Sequence, residues 1–474
     1  MSTKKNVAYN VAYRIFSVLL PVITAPYLSR VVGKAGVGMY SEAWTVSELF
    51  CLVGMLGLAD YGVRTVAQVR DDREKLDRTF SGIWQMQLIV SVVMLLAWAG
   101  YAAIAGEGQP IALALIPASI ACLVNLEWCL MGLDLFRPLA LRSTFVKLAA
   151  AAAIFAFVRQ KSDLWIYGLA WGGSSLISNI SCLFCLRGRI RYTRVPLRES
   201  LTHLKPCAVL FVSVIAINVY RSMDKVMVSL ISGVAENGLY DNAEKIIYCL
   251  SGFISAIGTV MMPKISNLIR RGETERVRVH LDTTMNLMLC MVTAMAFGVA
   301  SLAKEFAPLF YGSDFAYSGR LMIPLAFTLI MIGFGNVIRT QWIIPCGKDR
   351  IFVRSVCIGA LVNLAVNALL IPRMGSMGAV IGTLLAELLS PLLQSVAVRG
   401  DLPFGRYLKY LAVYCGIGGI MLLCVRLLVN ALPFGGWLSV GVCTAAGAGV
   451  YGILTLVYWK ATGKNYLRLL LKRG

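Results

Sequence analysis

Fourteen separate stretches of this chain are apolar for long enough to cross a lipid bilayer, and that property decides most of what it can fold into. A hydrocarbon core about 30 Å thick is spanned by about 20 helical residues at 1.5 Å each, and an unbroken apolar run suits a helix rather than the alternating strands of a barrel. The runs lie at about 7–32, 40–62, 80–105, 110–133, 143–158, 164–186, 206–231, 238–263, 281–303, 320–343, 351–371, 378–398, 407–430 and 437–459. They leave connections averaging only about 11 residues, too short for a soluble domain. Composition agrees: of 474 residues 58% are apolar and 15% charged, where soluble domains carry roughly a quarter charged. The expected class is an all-α polytopic membrane protein of about 14 transmembrane helices.

The net charge of +21 would suggest nucleic acid in a soluble protein, but no run joins basic residues to base-stacking aromatics, so no nucleic-acid partner is expected. Its distribution says more. With cations near a span end counted with the adjoining loop, 32 of the 45 Lys and Arg fall in the N-terminus, the even-to-odd loops and the C-terminal tail, against 7 in the other loops. Basic loops stay on the cytoplasmic side, so both termini are expected there. The first apolar run follows Lys4 and Lys5 but is interrupted by Arg14 and Pro21 and shows no small-residue cleavage site, so it reads as a retained helix rather than a signal peptide.

The segment Gly38-Met39-Tyr40-Ser41-Glu42-Ala43 recurs 200 residues later as Gly238-Leu239-Tyr240-Asp241-Asn242-Ala243, each opening the second helix of a six-helix set. Trp128, Gly132, Asp134, Arg142 and Ser143 are echoed by Trp342, Gly347, Asp349, Arg354 and Ser355. Because six is even, both copies enter the membrane in the same direction, which makes a parallel repeat. The expected organisation is two pseudo-symmetric six-helix bundles, residues 1–205 with a basic loop and 206–400, followed by two C-terminal helices and a basic tail at 401–474.

A charge at the bilayer centre costs about 2.5–3.5 kcal/mol, so it should face a partner or a wet cavity. The seventh span concentrates this cost: Arg221 and Lys225 share a helix face, with Asp224 beside them. One acid cannot neutralise two bases, and a surplus inward cation suits an anionic substrate such as a diphosphate. The alternative is a lock in which Asp224 and Glu244 pair with Arg221, Lys225 and Lys245 to hold spans seven and eight together. In the first bundle Arg14 is the best cavity cation, while Arg30 lies near the external end, where it can snorkel. Glu42 and Glu48 are six residues apart and so lie on different faces of one helix. They are no catalytic pair, and each is a candidate either for coupling to a proton or sodium gradient or for an ion pair with the first helix.

Other signals dissolve. Cys182 and Cys185 sit inside a span with no second pair, so the thirteen cysteines read as packing residues. His203 and His280 read as solvated loop histidines. No nucleophile, metal cluster, cofactor site or phosphate loop is evident, and no enzymatic activity is expected.

With these residues in view the chain resembles the Wzx-type oligosaccharide flippases, or polysaccharide transporter family, of the superfamily that includes MATE exporters and lipid II flippases. The resemblance rests on Pro21, Thr24-Ala25-Pro26-Tyr27-Leu28-Ser29-Arg30, the Gly36 to Tyr40 turn, Gly57-Leu58-Ala59-Asp60-Tyr61-Gly62, Arg221 to Lys225, and Tyr240-Asp241-Asn242-Ala243-Glu244-Lys245. It implies alternating-access translocation of an undecaprenyl-diphosphate-linked oligosaccharide from the cytoplasmic to the outer leaflet of the bacterial plasma membrane. A cationic cavity, and partnership with polysaccharide polymerases and glycosyltransferases, would follow. The rivals are a MATE-like drug exporter, which should have an acidic cavity, a polymerase or ligase, which should have a large external loop, and a non-transporting scaffold.

Overall fold

Backbone groups inside hydrocarbon have to be paired within their own segment, and every described element is helical, with no β-strand among the described residues. The structure, a computed structural model, describes residues 3–463, and their side chains except those of 3–18, 107, 136–140, 212–214, 216–217 and 219–221. Among these, eleven stretches are long and apolar enough to cross a membrane. The first, Leu19–Val69, has 51 residues, about 75 Å if straight, which is more than two bilayer cores and therefore two crossings. The helices Phe136–Phe157 and Leu204–Ser232 complete the fourteen expected from the sequence. The chain is an integral membrane protein.

Three departures from regular helix matter. Within Thr3–Met55 the first and second crossings meet at Gly33, with φ 70° and ψ −178°, a backbone region open to glycine alone. The fourth crossing is three short helices, Gln109–Ala114, Ile116–Leu123 and Glu127–Gly132, the first two opening on Pro110 and Pro117. Such a break frees carbonyls where no water can take them up. Gln87 of the third crossing, Arg73–Ile104, repairs it: its Nε2 donates to the Cys122 and Asn125 carbonyls at 2.6 and 3.0 Å, and its Oε1 accepts from Trp128 Nε1 at 3.0 Å. The tenth crossing, Ala316–Ile338, ends in a π turn, Arg339–Ile343, whose Trp342 donates to Asp401 Oδ2 at 3.0 Å. Trp128 and Trp342, paired in the sequence repeat, thus mark the irregular ends of the fourth and tenth crossings.

By internal packing the chain forms two compact units, Met1–Asp241 and Asn242–Gly474. The first has a core of Leu58, Val66, Phe80, Ile83, Met86 and Trp128, with the Phe80 and Trp128 rings stacked at 5.8 Å. In the second, polar side chains tie the thirteenth and fourteenth crossings, Phe404–Ala431 and Gly436–Ala461, to the ninth, Thr274–Tyr311. Tyr414 donates to Asn286 Oδ1 at 2.6 Å and accepts from Trp459 Nε1 at 2.9 Å, and the hydroxyls of Tyr451 and Thr293 meet at 2.6 Å. Interhelical hydrogen bonds serve as glue where lipid removes the hydrophobic drive between helices. Large exposed apolar groups such as Leu96, Phe184, Leu361 and Leu427 suit a surface wetted by acyl chains.

Candidate functional site

The two copies of the glycine-tyrosine segment meet inside the first unit. A Cβ on Gly38 would lie 1.6 Å from the Val234 carbonyl oxygen, and one on Gly238 would lie 2.0 Å from that of Lys34. The backbones therefore touch, and Asn237 Nδ2 fastens them by donating to the Gly38 carbonyl at 3.1 Å. This contact fixes the start of the eighth crossing, Val234–Arg270, against the second crossing and the end of the seventh, Leu204–Ser232.

Three polar pairs follow from that alignment. Lys225 Nζ lies 2.9 Å from Asp241 Oδ1, with side-chain exposures of 21% and 5%. Tyr240, fully buried, donates to Asp224 Oδ2 at 2.9 Å. Ser229 donates to Glu42 Oε2 at 2.5 Å, and Glu42 lines a cavity of about 160 Å³ with Met39, Tyr101 and Val234. Glu48 is exposed on the second crossing, within reach of the Lys225 charge. A carboxylate exposed along an apolar helix has to face water or a polar ligand rather than acyl chains.

Of the residues singled out from sequence, the structure thus gathers Lys225, Asp224, Glu42 and Glu48 in the first unit. Arg30 is exposed near the end of the first crossing. Lys245 and Glu244 are half-buried in the second unit, where Lys245 Nζ donates to Asn242 Oδ1 at 3.4 Å. The side chains of Arg14 and Arg221 lie outside the described residues. The acid that meets Lys225 is Asp241, a residue sequence reasoning passed over although it stands in the repeat, at the place of Ser41 in the first copy. Among the described residues no group of three or more His, Cys, Asp or Glu could hold a metal.

His203 corrects an expectation: it is no solvated loop histidine. It is half-buried, and its Nδ1 lies 2.6 Å from the Tyr61 hydroxyl. Beside it Arg78 forks onto Glu199, both bonds 2.7 Å. Burial pushes the imidazole below its ordinary value, outweighing the Glu199 charge that pulls it up. The unfolded segment therefore binds the proton more readily, so the docking contributed by His203 is complete above about pH 6.5 and is lost as the pH falls below it. The Arg78 hydrogen bond holds the Glu199 carboxyl below its usual range, so that pair opens only at lower pH. Backbone hydrogen exchange over 197–203, corrected for intrinsic rates, should accelerate between about pH 7.5 and about pH 5.5. In His203→Gln that step should vanish; a step that survives assigns it to another group.

Comparison with known proteins bears on the family and the fold. Residues 3–269 match the family described as "Polysaccharide biosynthesis protein". The "Putative O-antigen transporter" of Escherichia coli (strain K12) is 24% identical over 419 residues, 85% of this chain and 98% of that protein. Among solved structures, the lipid II flippase MurJ in an inward closed conformation superposes with a TM-score of 0.78 at 15% identity, covering 97% of this chain and 100% of the other. An inward-facing MATE-family multidrug resistance transporter of the MOP superfamily gives 0.62 at 13% identity, covering 86% and 96%. The chain shares the fold of these two structures.

Proposed function

This chain belongs to the polysaccharide biosynthesis protein family, and on that footing we propose that it is a flippase carrying an undecaprenyl-diphosphate-linked oligosaccharide from the cytoplasmic to the outer leaflet of the bacterial plasma membrane, with both termini cytoplasmic. The observation that carries this reading is the match, over 85% of this chain and 98% of the relative, to the protein named "Putative O-antigen transporter". The reaction is translocation, with no covalent bond made or broken. Glycosyltransferases would supply the substrate and a polymerase would consume it.

The cost to be overcome is that of moving a diphosphate and hydrated sugars through hydrocarbon while the polyprenyl tail stays in lipid. Arg14, Arg221 and Lys225 are the cations proposed to meet the diphosphate, with arginine giving forked hydrogen bonds. Lys225 already has an acid, Asp241 at 2.9 Å, so a substrate diphosphate would have to win it from that carboxylate. An ion pair that exchanges partners gives the two conformations of an alternating-access cycle different affinities for the substrate, which direction requires. Glu42 and Glu48 are the proposed acids for coupling to a proton or sodium gradient.

The test is direct. In cells carrying Arg14→Ala, Arg221→Ala and Lys225→Ala together, lipid-linked glycan should accumulate on the cytoplasmic leaflet. Undiminished export by a correctly inserted triple variant would remove these residues from the site. Purified protein in liposomes that moves no labelled glycan lipid, but does move a cationic drug, would replace the reading with that of an exporter.

A further inference from the structure

We propose that the strip between the sixth and seventh crossings, residues 187–204, is a docking surface for the anionic phospholipid headgroups of the adjacent leaflet. Arg187, Arg189, Arg191, Arg194 and Arg198 are all exposed there, and among the described residues none of their guanidinium groups lies within ion-pair distance of a carboxylate. Three neighbouring cations on the third crossing and the loop before it do pair: Arg70 with Asp134, Lys75 with Asp72 and Arg78 with Glu199. The five guanidiniums therefore form an uncompensated charge, and charge complementarity selects an anionic occupant.

The strip is also fixed in place. Its backbone is clamped to the third crossing, with the Arg191 amide donating to Asp77 Oδ1 and the Thr193 amide to Ser81 Oγ, both at 2.9 Å. Arg73 donates to the Gly188 carbonyl at 3.2 Å, Ser200 to Gln85 Oε1 at 2.8 Å, and Val195 is buried beneath. Charges that only set orientation need no fixed position, because they act by number during insertion. Here a run of contacts holds them, which a surface with a partner requires.

Apolar side chains interleave with the arginines. Tyr192 is 54% exposed, Leu197 50%, Leu201 43% and Leu204 39%. The Tyr192 ring packs edge-on against Trp84 at 5.8 Å, as aromatic residues do at headgroup depth. Basic and apolar groups alternating on one short segment match a surface lying in the interfacial plane, where cations meet phosphates and the apolar groups enter the acyl boundary. The inference holds whatever the protein translocates.

The experiment places the purified full-length protein in nanodiscs of mixed phosphatidylcholine and phosphatidylglycerol and counts retained lipids by native mass spectrometry. Wild type should retain phosphatidylglycerol in preference, and high salt should weaken that preference. Changing all five arginines to Gln should lower it by about fivefold for each arginine removed. The corresponding five-Lys variant should keep it. Should the Gln variant not fold, Arg194→Gln alone reads the same effect on one exposed side chain. Equal retention of the two lipids by wild type, or an unchanged preference in a folded Gln variant, overturns the proposal. With undecaprenyl diphosphate added to the same nanodiscs, its retention ahead of phosphatidylglycerol would also overturn the proposal and make the strip a substrate-capture site.

Discussion

Lys225→Met is expected to destabilise the folded protein by up to about 3–5 kcal/mol, because it removes the ammonium 2.9 Å from the Asp241 carboxylate, which is only 5% exposed. The second change restores much of the loss: in Lys225→Met with Asp241→Leu both charges of the pair are gone, and replacing both members of a buried pair by apolar groups is often neutral. Thermal unfolding of the two single variants and the double variant in one detergent gives the coupling directly. Transport separates the two roles of Lys225. If the lysine meets substrate, the stable double variant remains inactive. If the pair merely locks the seventh and eighth crossings together, the double variant transports normally. The second outcome would confine Lys225 to architecture and leave Arg14 and Arg221 to carry the cationic site.

The other large effect is expected at the glycine crossing. Gly38→Ala and Gly238→Ala each put a methyl group 1.6 to 2.0 Å from a backbone carbonyl oxygen, where no side chain can turn aside. Each should cost at least about 3 kcal/mol and reduce the yield of folded protein sharply. Alanine at Gly173, where a Cβ meets nothing within 4 Å, is the matched control and should be nearly silent. Folded yield after detergent extraction, read by monodisperse elution, compares the three. A normal yield from Gly238→Ala would mean that the Gly238 and Lys34 backbones stand further apart than a 2.0 Å approach implies.

Much of this was legible in the chain. The seventh crossing, read at 206–231, is Leu204–Ser232, and the twelfth, read at 378–398, is Ser376–Ala397. Apolar length is a property of consecutive residues, so it survives any tertiary arrangement. The breaks were less visible: the run 110–133 reads as one span, yet it is three helices, because whether a break is tolerated depends on Gln87 in a different crossing. His203 was misread for the same reason, since the Tyr61 that half-buries it is 142 residues away.

The candidate site divides likewise. Sequence alone determined that this is a many-helix membrane protein with charge concentrated in the seventh crossing, since hydropathy and the cost of a buried ion are set residue by residue. It also exposed the 200-residue repeat. Only the tertiary structure decided that the two copies touch at Gly38 and Gly238, and that Lys225 meets Asp241 and Glu42 meets Ser229. A charge announces that it needs a partner, but which partner it finds depends on where two helices cross, and that crossing is set by packing between residues far apart in the chain.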